Sequence, residues 1–514
     1  MKKVKFTITF LFLYLLVLII GFISEPSLGD EVYHYRFAKN FYWQGKRPVV
    51  DILYQNSIAP EIVYYYDIFW HATLAQIWKV IGQISFIAAQ IYQSFYYILL
   101  IFLTYLLGKE LYDKETGLYA ALLVATVPMV AVFSILFYTD VPGAVFSVLC
   151  VLLLVKKKYF WAGVALGLMY LSKRNALLFV PAILLISFYQ DKVNLKIKIK
   201  NLVFLIIGAA IIFSPDLCWR EKNLKDFPPN IFTSSKVVLK HLVGASKESS
   251  IAKKVEDTNK YKMAPVATVE VGDMKTFTNM LSKDFGFVKY FKRALWLSYF
   301  GLATLLGSLF YFICRRHEKK DVILWTLVGS YLLFYFLFLG LSNEIRYTLP
   351  IIPFLSILVA IPLTTTKKRL FKNTIIFICL AQFLMATVYL GTKRQVPKEV
   401  KDGFTFIKKN TSQDAKLFYV EHLALDRTNR KIKLPIPDDP ILKQMFWSPD
   451  TVNILGAINQ MGLDYIMVKK SRIYDDSSHS YFNGYPKSFV ERLPKLPFVK
   501  LVFDNKEISI WEVK

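Results

Sequence analysis

Residues 2–31 read KKVKFTITFLFLYLLVLIIGFISEPSLGDE, and most of the architecture follows from them. Three lysines (Lys2, Lys3 and Lys5) precede an apolar run over about 5–23, long enough for a helix to cross the hydrocarbon core of a bilayer. The run is too long for the apolar stretch of a cleavable signal peptide, and no small-residue cleavage site follows it, so it is expected to stay as an anchor. Cationic ends stay on the cytoplasmic side. The chain therefore emerges outside just before two adjacent carboxylates, Asp30 and Glu31.

The same pattern recurs through the 514 residues. Apolar runs at about 86–107, 117–137, 141–155, 159–172, 176–189, 201–217, 294–313, 322–341, 347–363 and 373–391 bring the expected number of spans to eleven. The segments 141–155, 159–172 and 176–189 are short, and 159–189 also reads as a broken or re-entrant pair. Composition agrees: 54% of residues are hydrophobic, 20% are charged, and mean hydropathy is +0.38, outside the usual range of soluble domains. The net charge of +26 would suggest nucleic acid in a soluble protein. Here more than half of it falls in segments that alternation places inside, such as Lys156–Lys158, Lys196–Lys200 and Lys367–Lys372. It sets topology, with the N-terminus cytoplasmic and the C-terminus outside, and nucleic acid is not an expected partner.

Three outer segments remain: loops 24–85 and 218–293, and residues 392–514. Glu31–Trp43 and Tyr66–Ile81 are amphipathic helical stretches of the first loop. The last segment reads as a soluble α/β domain following a membrane domain over 1–391. Phe404–Lys409 and Asn453–Met461 are helical, Lys416–Val420 and Asp464–Val468 are strands, and Val499–Asp504 and Ile508–Val513 form a closing hairpin. Cys150, Cys218, Cys314 and Cys379 have neither disulfide nor zinc-site spacing and read as apolar packing.

Ionisable groups at span ends mark candidate chemistry, and four places stand out, all on the outer side. The first is Gly29–His34. Adjacent carboxylates raise one another's pKa, which suits a general base; the alternative is a helix start, with Asp30 as N-cap and Glu31 in the first turn. His34 shares a helical face with both. It reads as a metal neighbour, giving a divalent-metal set of Asp30, His34 and Asp140, or as a hydrogen-bonding partner. The second is Phe137–Gly143, where Asp140 is either a second acidic group or a turn residue. The third is Leu171–Asn175, whose Lys173 and Arg174 run against the cytoplasmic bias of cations; an anionic ligand or snorkelling to headgroups accounts for them. The fourth is Ser342–Pro353, where Arg346 and Tyr347 sit at the interface ahead of two prolines. Arg346 is suited to a phosphate, or to pairing with Glu344. No phosphate-binding glycine loop, Gly-x-Ser-x-Gly or His-Glu-x-x-His is present.

Together these places resemble the GT-C superfamily of integral-membrane glycosyltransferases. Gly29-Asp30-Glu31 looks like the first-loop acidic motif of protein O-mannosyltransferases. Asp30–Gly45, Phe137–Gly143 and Gly167–Asn175 are similar to loops of the dolichyl-phosphate-glucose α-1,2-glucosyltransferases. Arg346-Tyr347-Thr348-Leu349-Pro350 resembles the Arg-Tyr-x-x-Pro of the mannosyltransferase and aminoarabinose-transferase branch, in which a C-terminal extracytoplasmic α/β domain is common.

The resemblance implies a polytopic α-helical enzyme that moves a sugar from a polyprenyl-phosphate donor to an acceptor hydroxyl with inversion. The acceptor would be a glycan, lipid or protein, on the outer face of a prokaryotic plasma membrane. It implies Asp30, Glu31 and Asp140 as catalytic carboxylates, Lys173, Arg174 and Arg346 as donor-phosphate ligands, and His34 and Tyr347 as neighbours of the acceptor or a metal. No cofactor beyond such a metal ion is called for. Two other classes fit a polytopic chain: a lipid-linked sugar flippase or polysaccharide transporter, and a non-catalytic glycan-assembly protein. The first generally shows internal repeats and midplane charges, and neither is seen in this sequence.

Overall fold

The computed structural model describes residues 2–26, 30–51, 53–55, 62–63, 67–173, 178–189, 194–224, 319–338, 345–366, 369–421, 423–435, 439–476 and 484–514. Ten of the eleven apolar segments coincide with helices; the segment 294–313 lies outside the described residues. The helices are α1 (Lys2–Ile23), α2 (Asp30–Gln44), α3 (Phe69–Ile81), α4 (Phe86–Leu111), α5 (Lys114–Thr126), α6 (Pro128–Ile135), α7 (Asp140–Val155), α8 (Tyr159–Ser172), α9 (Val180–Tyr189) and α10 (Leu195–Leu224). After these come α11 (Lys319–Phe338), α12 (Ile352–Thr365) and α13 (Arg369–Lys393).

Among the described residues, four helices are long and apolar enough to cross a membrane: α4, α10, α12 with its preceding turn, and α13. A fifth crossing results if α5 and α6 count as one span. That pair bends by 60° where a single run was expected. Pro128 lacks the N–H needed to continue the ladder, and Val127 ahead of it is extended. The expected span at 347–363 likewise opens as a 3₁₀ segment, Ile345–Ile351, before α12, because prolines 350 and 353 interrupt α-helical bonding. Helix α10 runs past the expected end at 217, so Asp216, Trp219 and Arg220 lie on its last turns. It packs closely on α8: a Cβ at Gly163 would strike the carbonyl oxygen of Leu205, and one at Gly208 that of Phe160.

The C-terminal region folds on a six-stranded sheet. Its strands are β4 (Lys416–Phe418), β5 (Lys431–Lys433), β6 (Tyr465–Lys469), β9 (Val499–Asp504) and β10 (Ile508–Val513), preceded at one edge by β2 (Tyr54–Gln55) from the first outer loop. The order is β2-β5-β4-β6-β10-β9, parallel from β2 to β6 and antiparallel through the closing hairpin. Two short pairings lie outside it, β1 (Val50–Asp51) with β3 (Ile62–Val63) and β7 (Ile473–Tyr474) with β8 (Tyr485–Pro486). Alternation sorts the core to two faces: Phe418, Ile466 and Val468 pack with Met445, Phe446 and Ile458, while Leu417 and Met467 pack with Phe404, Ile407 and Ile510.

Val32 of α2 joins the second of these clusters, and Ile432 N–H and Leu434 N–H donate to the carbonyls of Leu53 and Gln55 at 2.8 and 3.0 Å. The first outer loop is thereby built into the sheet. A boundary drawn at 392 does not show this, because two residues of an edge strand leave no periodic signal.

Candidate active site

Helix α2 begins at Asp30, so both carboxylates stand in its first turn and complement the helix dipole. They face different partners. Glu31 is fully buried and forms a bidentate ion pair with the fully buried Arg394, which follows α13; Arg394 Nε lies 3.1 Å from Glu31 Oε2, and its Nη2 contacts Oε1. The Phe137 N–H donates to Glu31 Oε1 at 3.1 Å, and Arg394 Nη1 donates to Ser24 Oγ at 2.9 Å. Four separate segments close on this one pair.

Asp30 stays half-exposed. Its Oδ2 accepts from Arg346 Nη2 at 2.9 Å, and its backbone N–H donates to the Tyr138 hydroxyl at 3.1 Å. Asp140 opens α7 almost fully buried, with Lys173 Nζ 3.2 Å from both of its oxygens. Gly143 makes this possible: a Cβ there would come within 2.7 Å of Lys173 Cβ. The two ion pairs are neighbours. Arg346 lies 4.8 Å from the Tyr138 ring and 5.4 Å from the Tyr347 ring, Lys173 lies 5.1 Å from the Tyr347 ring, and Asp140 as well as Asp30 acts electrostatically on Arg346. The expected residues Asp30, Asp140, Lys173, Arg346 and Tyr347 thus converge. Glu31 is adjacent but committed to Arg394, and Arg174 lies outside the described residues.

Three comparisons bear on this arrangement. The family model described as dolichyl-phosphate-mannose-protein mannosyltransferase matches residues 68–219. No curated protein sequence matches. Among solved structures, ArnT from Cupriavidus metallidurans in the apo state aligns over 99% of this chain and 98% of its own, with a TM-score of 0.59 and 11% identity. The Archaeoglobus fulgidus oligosaccharyltransferase in complex with Zn and sulfate aligns over 89% of this chain and 68% of its own, with a TM-score of 0.57 and 14% identity. The chain thus shares its fold with these two glycosyltransferases. The mycobacterial arabinofuranosyltransferase AftD shares the fold too, at a TM-score of 0.54 and 12% identity, over 98% of this chain and 40% of its own.

A zinc-bound GT-C neighbour raises the question of a metal here. Among the described residues no group of three or more His, Cys, Asp and Glu side chains is disposed to hold one. The set expected from sequence, Asp30, His34 and Asp140, is not assembled: Arg346 faces Asp30, Lys173 faces both oxygens of Asp140, and His34 Nδ1 lies 2.8 Å from His71 Nε2. Cations stand where a divalent ion would need carboxylates, so the residues present do not fit that ion.

His34 belongs to a hydrogen-bonded relay. His71 Nδ1 is 2.7 Å from the Asp67 carbonyl and donates to it, which leaves Nε2 to accept from His34. Burial holds His71 down to about 3, and burial with the neighbouring His71 holds His34 well below the ordinary imidazole range. Both rings are neutral in the fold. Below about pH 6.5 the unfolded chain binds protons that the folded chain refuses, so this contribution to stability is complete above that pH and fades toward pH 3. Thermal unfolding should therefore occur at lower temperature at about pH 5 than at about pH 7.5, and His71→Gln should flatten the dependence. An unchanged slope in that variant would contradict the assignment.

Two features of this site were not read from sequence. Tyr138 lies inside the expected Phe137–Gly143 motif, but nothing in the motif singles out its hydroxyl. Arg394 follows the last expected span on the side expected to be outside, so the charge-bias rule that marks Arg346 also marks it. A second network, Asp216 with Arg47, Arg220 and Tyr170, fastens the first loop to α8 and α10.

Proposed function

We propose that the chain transfers a sugar from a polyprenyl-phosphate carrier to an acceptor hydroxyl, with inversion, on the outer face of a prokaryotic plasma membrane. In this reading eleven spans over 1–391 place the N-terminus inside, and residues 392–514 lie outside as an α/β domain. The observation that carries the reading is the pairing of Asp30 with Arg346 beside that of Asp140 with Lys173. A base and phosphate-binding cations share one site on the outer ends of the helices. Two fold neighbours support the choice of carrier: the Archaeoglobus oligosaccharyltransferase has been solved in complex with a dolichol-phosphate, and ArnT bound to undecaprenyl phosphate.

Asp30 takes the proton of the acceptor hydroxyl as its oxygen attacks the anomeric carbon from the face opposite the phosphate. The carbon–oxygen bond to phosphate breaks, and its electron pair leaves with the carrier. Arg346, Lys173 and Arg174 meet the charge that grows on the departing phosphate. Asp140 orients Lys173, and Glu31 fixes the start of α2. His34 supports the base of the site, and Tyr347 walls it. No step passes through a metal.

Arg346→Ala tests the phosphate role. With undecaprenyl-phosphate hexose as donor, the KM for donor should rise roughly 10- to 100-fold, as loss of a charged hydrogen bond predicts, while acceptor dependence changes little. Release of undecaprenyl phosphate at low donor concentration equal to that of the unaltered chain would contradict it.

A further inference from the structure

A cavity of about 420 Å³ lies between the C-terminal end of α2, the segment that follows it and the turn at Asn429. The parallel pairing of β2 with β5 and the Lys39–Asp426 ion pair bring its two sides together. Its volume is that of a small-ligand site.

The lining is unusual for a structural crevice. The Trp43 indole is 55% exposed, and the amides of Gln44 and Asn429 are exposed beside it. Asn429 has φ of 54°, a left-handed backbone that Asn tolerates, at the tip of its turn. Three cations, Arg36, Lys46 and Arg47, face a single carboxylate, Asp51. Asp51 is already engaged by Arg36, by the Asn40 amide at 3.3 Å and by the Leu53 N–H at 3.0 Å. Arg47 gives Nη1 to Asp216 and lays its guanidinium 3.7 Å from the Trp219 ring. Its Nε and Nη2 are buried without a hydrogen-bond partner, in a side chain only 7% exposed. Arg47 therefore adds positive charge to the cavity wall from a desolvated position. Burial, opposed by Asp216, pushes the Arg47 guanidinium down to about 10.

We infer that this cavity binds an acidic sugar residue of the acceptor. The indole offers a flat apolar face for the C–H side of a pyranose, the amides match its hydroxyls, and Lys46 and Arg47 supply the charge for its carboxylate or phosphate. The inference rests on the transferase reading, because it names the substrate class for the site around Asp30. Helix α2 sets the separation: from Asp30 to Gln44 is about 20 Å at 1.5 Å per residue. A chain of several sugar residues spans that distance. The acceptor is therefore an acidic oligo- or polysaccharide, held by an inner residue while its terminal hydroxyl reaches the base.

Full-length protein in detergent would be titrated with tri-galacturonic acid, maltotriose and undecaprenyl phosphate, with binding followed by thermophoresis. The acidic trisaccharide should bind about tenfold more tightly than the neutral one, and Lys46→Gln and Trp43→Ala should each weaken it about fivefold. Both positions are exposed, so neither change threatens the fold, and undecaprenyl phosphate should bind both variants as it binds the unaltered chain. Equal binding of the two saccharides, or variants that bind like the unaltered chain, overturns the inference. Undecaprenyl phosphate binding with no saccharide binding overturns the cavity's role and leaves the transferase reading standing. Saccharide binding without undecaprenyl phosphate binding overturns the transferase reading instead.

Discussion

Asp30→Asn should bind undecaprenyl phosphate more tightly than the unaltered chain and yet transfer sugar far more slowly. The two effects have one origin. Arg346 Nη2 sits 2.9 Å from Asp30 Oδ2, so an incoming phosphate competes with a carboxylate for the same guanidinium. Removing the charge removes the competitor. Asp30 is 42% exposed, so solvent screens the pair and its worth is of order 0.2–1 kcal/mol, which predicts a gain of no more than about fivefold. Transfer should fall by about 10²- to 10⁴-fold, the usual contribution of a general base. The same competition orders the reaction: carrier binds first, takes Arg346 and releases Asp30 to the hydroxyl. High salt should shrink the affinity difference between the two proteins. Equilibrium binding and single-turnover transfer would be measured side by side. Weaker carrier binding in the variant would remove the competition, and persisting transfer would remove the base.

The parts of this site that sequence reveals are those that break a rule. Lys173 and Arg346 are cations on the side where the expected topology makes cations scarce, and Asp30 and Asp140 are acids at expected span ends; each is conspicuous without any knowledge of packing. Which group each one meets was not legible. Asp30 and Arg346 are 316 positions apart, and Glu31 and Arg394 are 363 apart, so only the way the helices assemble decides the pairs. Adjacent in sequence, Asp30 and Glu31 look alike. In the fold one is half-exposed and exchangeable, while the other is sealed in a buried ion pair. The helices of the first loop, the strand of Lys416–Phe418 and the closing hairpin followed from periodicity. The bend at Pro128 needed only a stricter reading of proline, but the edge strand Tyr54–Gln55 depends on a partner far along the chain.

Arg394→Ala should be the most damaging single change outside the reacting groups. Both members of its pair with Glu31 are fully buried. Truncating the arginine leaves the buried Glu31 carboxylate without its opposite charge, a loss of about 3–5 kcal/mol of stability. The damage reaches the site by a short route. Glu31 Oε1 holds the Phe137 N–H, the next residue is Tyr138, and the Tyr138 hydroxyl accepts from the Asp30 N–H. When Glu31 shifts, the base and the ring beside Arg346 shift with it. A merely structural loss and a loss of charge balance are separable. The double variant Glu31→Gln with Arg394→Gln removes both charges while keeping side chains of similar length, so it should recover much of the thermal stability that Arg394→Ala loses. Thermal unfolding of the three proteins in detergent decides the matter. If Arg394→Ala unfolds at the temperature of the unaltered chain, the pair is not sealed from water. If the neutral pair is no more stable than Arg394→Ala, lost packing rather than an uncompensated carboxylate is what the arginine prevents.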